Sequence, residues 1–557
     1  MKEVLSEILL THLKKLGLEL PENLTVEAPK AAEHGDLSSN VAMVLAKQAK
    51  KKPRELAEAL AASLRVESDL FTKVEIAGPG FLNFFLKESV WHNALRRAWA
   101  DGHLVRPDIG CGKRVLVEFV SANPTGPMHV GHGRNAVVGD DLARLLEAVG
   151  YRVTREFYVN DHGVQIHTLG RSGGHYHQAL ANIGGVAAAL PEDMYRGEYL
   201  EKLVDRLKER IAPVKDDPMA VGKLLGAELL QVIREDLKSL GVSFDAYFSE
   251  SSLYQGGKIQ ATLDQLAGSG DTFESEGALW FRTTEYGDDK DRVLIKSDQS
   301  YTYFTPDIAY HKDKFERAYD RYLNIMGADH GGYVKRMKAA VQALGYDSEK
   351  LEFVLMQMVS LKRGGATVAM SKRSGDYVTL REVVDEVGKD AARFFFILRS
   401  HNTTLDFDLE LAKKQSNENP VYYVQYAHAR MCSIFAVAQE VGYPAPGQIH
   451  GEDLVTLTLP EEINLIKTGL SYPDVLGQAA QEREPHRVAF YLLELAKAFQ
   501  NYYTLGKTDD RYRVVTSDKK ITLAKLFLLK TLRAILADGL SILGVTAPER
   551  MERLSEE

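Results

Sequence analysis

Apolar residues change rhythm along this chain, and the changes divide it into stretches of different character. Residues 1–86 read as helix, loop and helix, followed by strand-like segments at 73–77 and 81–86 around Gly78-Pro79-Gly80. That order predicts a small α+β unit. Over 1–20 the apolar positions are interrupted by charges at helical spacing, so this stretch reads as a folded amphipathic helix rather than a targeting segment. A further helix and a linker ending in Arg106-Pro107-Asp108-Ile109-Gly110 occupy 87–109.

From Val115 the pattern becomes alternating. An apolar run at 115–120 predicts a strand, and Val138, Leu142, Leu145 and Val149 share one face of a helix near 131–149. Gly150 ends that helix, and 152–158 reads as the next strand. A strand–helix–strand order of this length argues for a parallel sheet that binds its ligand at the strand C-termini. The alternation lapses over about 170–290, where Gly173-Gly174, a Gly/Ala-rich stretch and Pro191 precede helical patterns at 199–211 and 219–240. Strand-like segments follow at 278–282 and 293–296, and the whole stretch reads as an insertion. The sheet resumes near Tyr301 with a strand at 322–326 and a helix at 333–344, and the chain is nearly all helical from about 410. The expected fold is multidomain α/β plus all-α. It has an N-terminal α+β domain (1–86), a Rossmann-like parallel-sheet catalytic domain (110–409, insertion about 170–290) and a C-terminal α-helical bundle (410–557).

Composition narrows the class. The 557 residues are 45% hydrophobic and 26% charged, as in an ordinary globular protein. Two cysteines, Cys111 and Cys432, offer neither a disulfide framework nor a CxxC metal site, which fits a reducing cytoplasm. No apolar run approaches the ~18 residues of a membrane span. A net charge of −8 argues against a general nucleic-acid binder, although Lys47, Lys50, Lys51, Lys52 and Arg54 form one local basic cluster.

The densest chemistry lies between Glu118 and His132, where the strand passes through Asn123-Pro124-Thr125-Gly126-Pro127 to a helix start carrying His129 and His132. Free N–H groups and the positive dipole end at such a start suit an anion, and Gly131 would let a phosphate approach the backbone. Zinc is the weaker alternative. It needs a third ligand, and His162, His175 and His177 stand in unrelated contexts. No metal site is therefore assigned. Gly506-Lys507-Thr508 is not a phosphate loop, because Asn501 stands where the upstream glycine is required.

The segment Asn123–His132 resembles the first signature of class I aminoacyl-tRNA synthetases, and Ala369-Met370-Ser371-Lys372-Arg373-Ser374 resembles the second. Finer details resemble the arginyl-tRNA synthetases of bacterial type: Glu118-Phe119-Val120-Ser121-Ala122-Asn123, Asn160-Asp161-His162-Gly163, Tyr303-Phe304-Thr305-Pro306-Asp307, Met326-Gly327-Ala328-Asp329-His330 and Tyr423-Val424-Gln425-Tyr426 among them. The resemblance runs nearly end to end. It implies that arginine and ATP form arginyl-adenylate, with Mg²⁺ and no prosthetic group, and that arginine then passes to the 3′ end of its tRNA.

By that resemblance His129, His132 and Lys372 are catalytic, and Gly131, Met370 and Ser371 contact ATP. Glu118, Ser121, Asn123, Tyr303, Asp307 and Asp329 would surround arginine, whose guanidinium calls for carboxylates in bidentate reach. Tyr423, Tyr426 and Arg430 would meet tRNA through stacking and charge. The first lysine of the second signature is Ala369 here, while Lys372 is kept. Many relatives instead carry a lysine at the position of Gly126 and lack the later one, so the two departures agree. The implied enzyme is cytoplasmic and monomeric. Small-molecule nucleotidyltransferases share the sheet and a similar first signature but lack the helical tail, and a non-catalytic RNA-binding relative would not need the intact histidines and lysine.

Overall fold

The apolar run after Arg114 forms β1 (Arg114–Glu118), the middle strand of a five-stranded sheet in the computed structural model. The structure describes residues 2–19, 25–29, 31–65, 69–100, 102–181, 191–368 and 378–552. After β1 come α1 (Val130–Ala148) and β2 (Arg152–Val159), then three helices, α2 (Val164–Ala181), α3 (Glu198–Ile211) and α4 (Pro218–Ser239), before β3 (Ala246–Ser249). Farther on, α5 (Phe304–Glu316) leads to β4 (Arg321–Gly327), and α6 (Tyr333–Ala343) to β5 (Leu351–Met356).

The strand order is β5-β4-β1-β2-β3, and every neighbouring pair is parallel. The chain therefore leaves β1 toward β2 on one side, while β4 lies on the other. The crevice beyond the C-terminal ends of β1 and β4 is the topological switch point, where such sheets bind ligands. Leu116, Ile308, Tyr322, Val341 and Leu351 belong to one buried cluster, so α5 and α6 are fixed to the sheet by apolar packing.

Between β2 and β3 three helices follow one another with no strand among the described residues, and Gly170, Gly173 and Gly174 lie inside the continuous helix α2. Their function is packing. A Cβ on Gly170 would fall 1.6 Å from the Pro218 carbonyl oxygen, and one on Gly222 would fall 2.0 Å from that of Ile166. Glycine thus lets α2 and α4 approach backbone to backbone, and Leu169, Leu200, Val204 and Leu225 close the cluster around them. The strands expected near 278–282 and 293–296 form a separate antiparallel sheet with Thr272–Ser275.

Two compact units emerge, one of 1–105, 430–472 and 497–535, the other of 106–429, 473–496 and 536–557. The helical stretch from about 410 contributes segments to both. In the first unit the sheet Val26–Glu27, Leu37–Ser39, Phe81–Leu86, Phe71–Ala77 accompanies the helix Glu88–Arg97. His92 Nε2 lies 2.9 Å from the Leu457 carbonyl, and Arg96 donates to that of Gly451 at 2.7 Å. Among the described residues no helix is long and apolar enough to cross a membrane.

Candidate active site

Past β1 the backbone turns through two left-handed residues, Val120 (φ 66°) and Ser121 (φ 44°). A β-branched residue there is strained by about 1–2 kcal/mol, so something must hold it. The Val120 N–H donates to Asn135 Oδ1 at 2.6 Å, and Asn135 Nδ2 donates to the Ile325 carbonyl on β4 at 3.2 Å. One asparagine on α1 thus ties both walls of the crevice.

His129 is the N-cap of α1. Its Nδ1 accepts from the N–H groups of Gly131 at 3.1 Å and His132 at 3.4 Å. The His132 Nδ1 accepts in return from the His129 N–H at 3.5 Å, and the rings stack with centroids 3.9 Å apart. The expectation of free N–H groups at this helix start is corrected, because the His129 ring occupies those of Gly131 and His132. Gly131 also serves the cap itself. A Cβ there would lie 2.9 Å from His129 Cε1, so glycine makes room for the capping ring. With both Nδ1 atoms accepting, each imidazole carries its proton on Nε2.

Beside this loop lies a group of acids. Glu118 accepts from Lys314 Nζ and, at 3.0 Å, from Ser121 Oγ, which itself accepts from the Tyr158 N–H at 3.1 Å. Lys314 is fully buried and also donates to Asn324 Oδ1 at 2.8 Å. Asn324 Nδ2 lies 2.9 Å from His311 Nε2, and His311 Nδ1 lies 2.8 Å from the Asp307 carbonyl; burial keeps that histidine neutral. Asp307 accepts from the Tyr333 hydroxyl. Burial, reinforced by the Glu118 charge, pushes Asp307 up to about 7 against the opposing pull of Tyr333 and Lys314. Glu250, at the end of β3, is likewise pushed up to about 7 by burial and then by the Asp307 charge. Asn160, with its amide turned to donate, reaches Glu250 Oε2 at 3.1 Å. Carboxylates so poised at neutral pH mark a site short of positive charge.

Of the other expected residues, Asn123 lies in the loop itself, and its side chain has no hydrogen-bond partner among the described residues. Tyr303 stands at the start of α5 and is 68% exposed. Asp329 points to solvent with its side chain 81% exposed, 3.6 Å from His330, and the structure does not bring it among the buried acids. Met370, Ser371 and Lys372 lie outside the described residues. The described chain beyond them returns to α1: Thr379 pairs with His129 as an antiparallel bridge, and the Leu380 N–H donates to the Met128 carbonyl at 2.8 Å.

Tyr423, Tyr426 and Arg430 share the helix Pro420–Glu440. Tyr426 stacks on Tyr422 at 6.0 Å. In the first unit, Arg430 bonds Gln500 and lies over the Tyr503 ring at 4.5 Å. Arg430, Tyr503, Lys507, Tyr512 and Arg513 line a cavity of about 310 Å³. Phe499 and Tyr502, in the same unit, are buried core residues.

Three family models match in chain order. "Arginyl tRNA synthetase N terminal domain" covers 3–86, "tRNA synthetases class I (R), catalytic domain" covers 95–410, and "DALR anticodon binding domain" covers 424–551. The chain belongs to the arginyl-tRNA synthetase family. It is 48% identical over 541 residues to an arginine–tRNA ligase of Citrifermentans bemidjiense, with 95% of each chain covered. To the arginine–tRNA ligase of Syntrophotalea carbinolica it is 48% identical over 539 residues, covering 96% of this chain and 95% of the other. The solved Thermus thermophilus arginyl-tRNA synthetase shares the fold at a TM-score of 0.77, 24% identity and coverage of 99% and 100%.

Within this arginyl-tRNA synthetase fold, Glu250, Lys314 and Tyr333 are the residues that sequence reasoning missed. Glu250 sits between serines just past a short strand, a context shared by many surface acids. The signal that could have found it is its position after a parallel strand of the same sheet. Lys314 falls two helical turns after Asp307, and Tyr333 opens the next helix; neither belongs to a local pattern.

Proposed function

We propose that this chain is an arginine–tRNA ligase that activates L-arginine with ATP and transfers it to the 3′ end of its tRNA. The observation that carries the arginine reading is the pair of half-buried Asp307 and buried Glu250, poised near neutrality and lying beside the crevice at the switch point. Arginine brings two cationic groups. The guanidinium suits Asp307 and Glu250, which can accept along its planar fork, with Tyr303 at the entrance. The α-ammonium end then lies toward Glu118, Ser121 and Asn123 on the loop that leads to His129. Glu118, already paired with Lys314, contributes less net charge than its position suggests. Asp329 would act from the rim.

In the first step the arginine carboxylate oxygen bonds to the α-phosphorus of ATP, and the bond to pyrophosphate breaks. The chain's part is to align these groups and stabilise developing charge. The Nε2–H groups of His129 and His132 would donate toward the phosphates and ribose, and Gly131 would keep the His129 ring in place. Lys372, with Met370 and Ser371 beside it, would meet the charge leaving with pyrophosphate. Among the described residues no group of three His, Cys, Asp or Glu could hold a metal ion. Mg²⁺ would ride on the ATP phosphates, neutralising their charge. Tyr423, Tyr426 and Arg430 would contact tRNA. The protein would work as a cytoplasmic monomer.

Charging of tRNA with labelled arginine or lysine tests the reading. Arginine should be attached and lysine rejected, because an ammonium lacks the planar fork that meets two carboxylates in bidentate geometry. Asp307→Ala should raise the arginine KM at least tenfold more than the ATP KM. Equal effects on both substrates would remove Asp307 from the arginine pocket.

A further inference from the structure

Tyr333 lies outside the signature motifs, yet its hydroxyl donates directly to Asp307 Oδ2. Its ring is locked. Phe304 meets it edge-on at 6.2 Å, and the Arg336 guanidinium lies 5.5 Å from its centroid. The terminal torsion of an aspartate is otherwise a broad rotor, whereas a guanidinium needs both carboxylate oxygens in one plane. A rigid donor on one oxygen sets that plane before the ligand arrives.

The same contact bears on charge. Glu118 from β1, Lys314 from α5, Glu250 after β3, Tyr158 on β2 and Tyr254 all act electrostatically around Asp307. Of the groups that bear on its ionisation, the Tyr333 hydrogen bond favours the carboxylate most, and Lys314 follows. Burial raises the Tyr333 phenol far above the ordinary tyrosine range, so it stays protonated and remains the donor. We propose that Tyr333 is a positioning residue for arginine recognition, fixing the orientation of the Asp307 carboxylate and favouring its ionised form. The proposal rests on Asp307 being the guanidinium partner.

Calorimetric titration of the full chain with arginine between pH 6 and 9 tests it, using wild type, Tyr333→Phe and Asp307→Asn. Wild-type affinity should fall about tenfold per unit from Asp307 itself below its midpoint near 7, and by as much again from Glu250, which protonates in the same range. Losing one hydrogen bond to a charged group should move that midpoint up by about one to two units in Tyr333→Phe. Binding at pH 7.5 would then weaken roughly tenfold and approach wild type by pH 9. An unchanged midpoint, or an equal loss at every pH, would overturn the assignment and leave Tyr333 a packing residue. If Asp307→Asn bound arginine as tightly as wild type, the reading of Asp307 itself would fail instead.

Discussion

Asp307 is held in a state the free protein would not choose. Its ionisation point lies at about 7, against an ordinary value of 3.8, chiefly because burial penalises the charge. A carboxyl whose folded value is raised stabilises the fold below the unfolded value, and loses that contribution as pH rises through the folded one. Asp307→Asn should therefore raise the thermal stability of the ligand-free protein at pH 8, by on the order of 2 kcal/mol, and have little effect at pH 4. Thermal unfolding at the two pH values checks this. Asparagine keeps an oxygen for the Tyr333 hydroxyl, so the comparison isolates charge. The gain in stability should coincide with loss of arginine binding, as expected where a site stores electrostatic strain for its ligand.

Helix α1 and its cap act as one element. The His129 ring accepts two N–H groups only because Gly131 has no side chain. Gly131→Ala should displace the ring and lower tRNA-supported ATP–pyrophosphate exchange by about ten- to a hundredfold, while arginine binding by calorimetry stays near wild type. Full exchange activity would show that the stacked pair is not needed in this geometry. One turn onward, the fully buried Arg134 donates to the carbonyls of Gln357, Thr403 and Ser400 at 2.9 Å and of Arg399 at 3.4 Å. It joins α1 to the segment after β5 and to the turn at 399–403. Arg134→Met would leave these carbonyls unpaired, and denaturant unfolding should register a loss of about 3–5 kcal/mol.

At the scale of the molecule, the proposed tRNA contacts divide between the two compact units, Tyr423 and Tyr426 falling in the second and Arg430 in the first. The acid pocket belongs to the second unit, whereas Arg430 and its cavity belong to the first. Arg430→Ala should raise the tRNA KM several-fold, on the order of tenfold, with arginine affinity unchanged. An altered arginine dissociation constant with a normal tRNA KM would remove Arg430 from the tRNA surface.

How much of this was readable beforehand depends on the range of the interactions. The strand–loop–helix around His129, the parallel sheet and the helical tail follow from spacing over a few residues, because periodicity, helix starts and turn residues are local. Asp307 was readable only through resemblance. Glu250, Lys314 and Tyr333 were not readable, since each acquires its role from partners more than fifty residues away or on another element. The packing role of Gly170 and Gly222 was not readable for the same reason: whether a glycine loosens a helix or admits a second one depends on what lies opposite. The amino-acid sequence by itself determined the family, the class of chemistry and where α1 begins. Only the tertiary structure decided that the His129 ring caps that helix, that Lys314 neutralises Glu118, and that Asp307 and Glu250 meet as under-neutralised acids. Burial and the proximity of charges are properties of the assembled sheet, not of any segment in it.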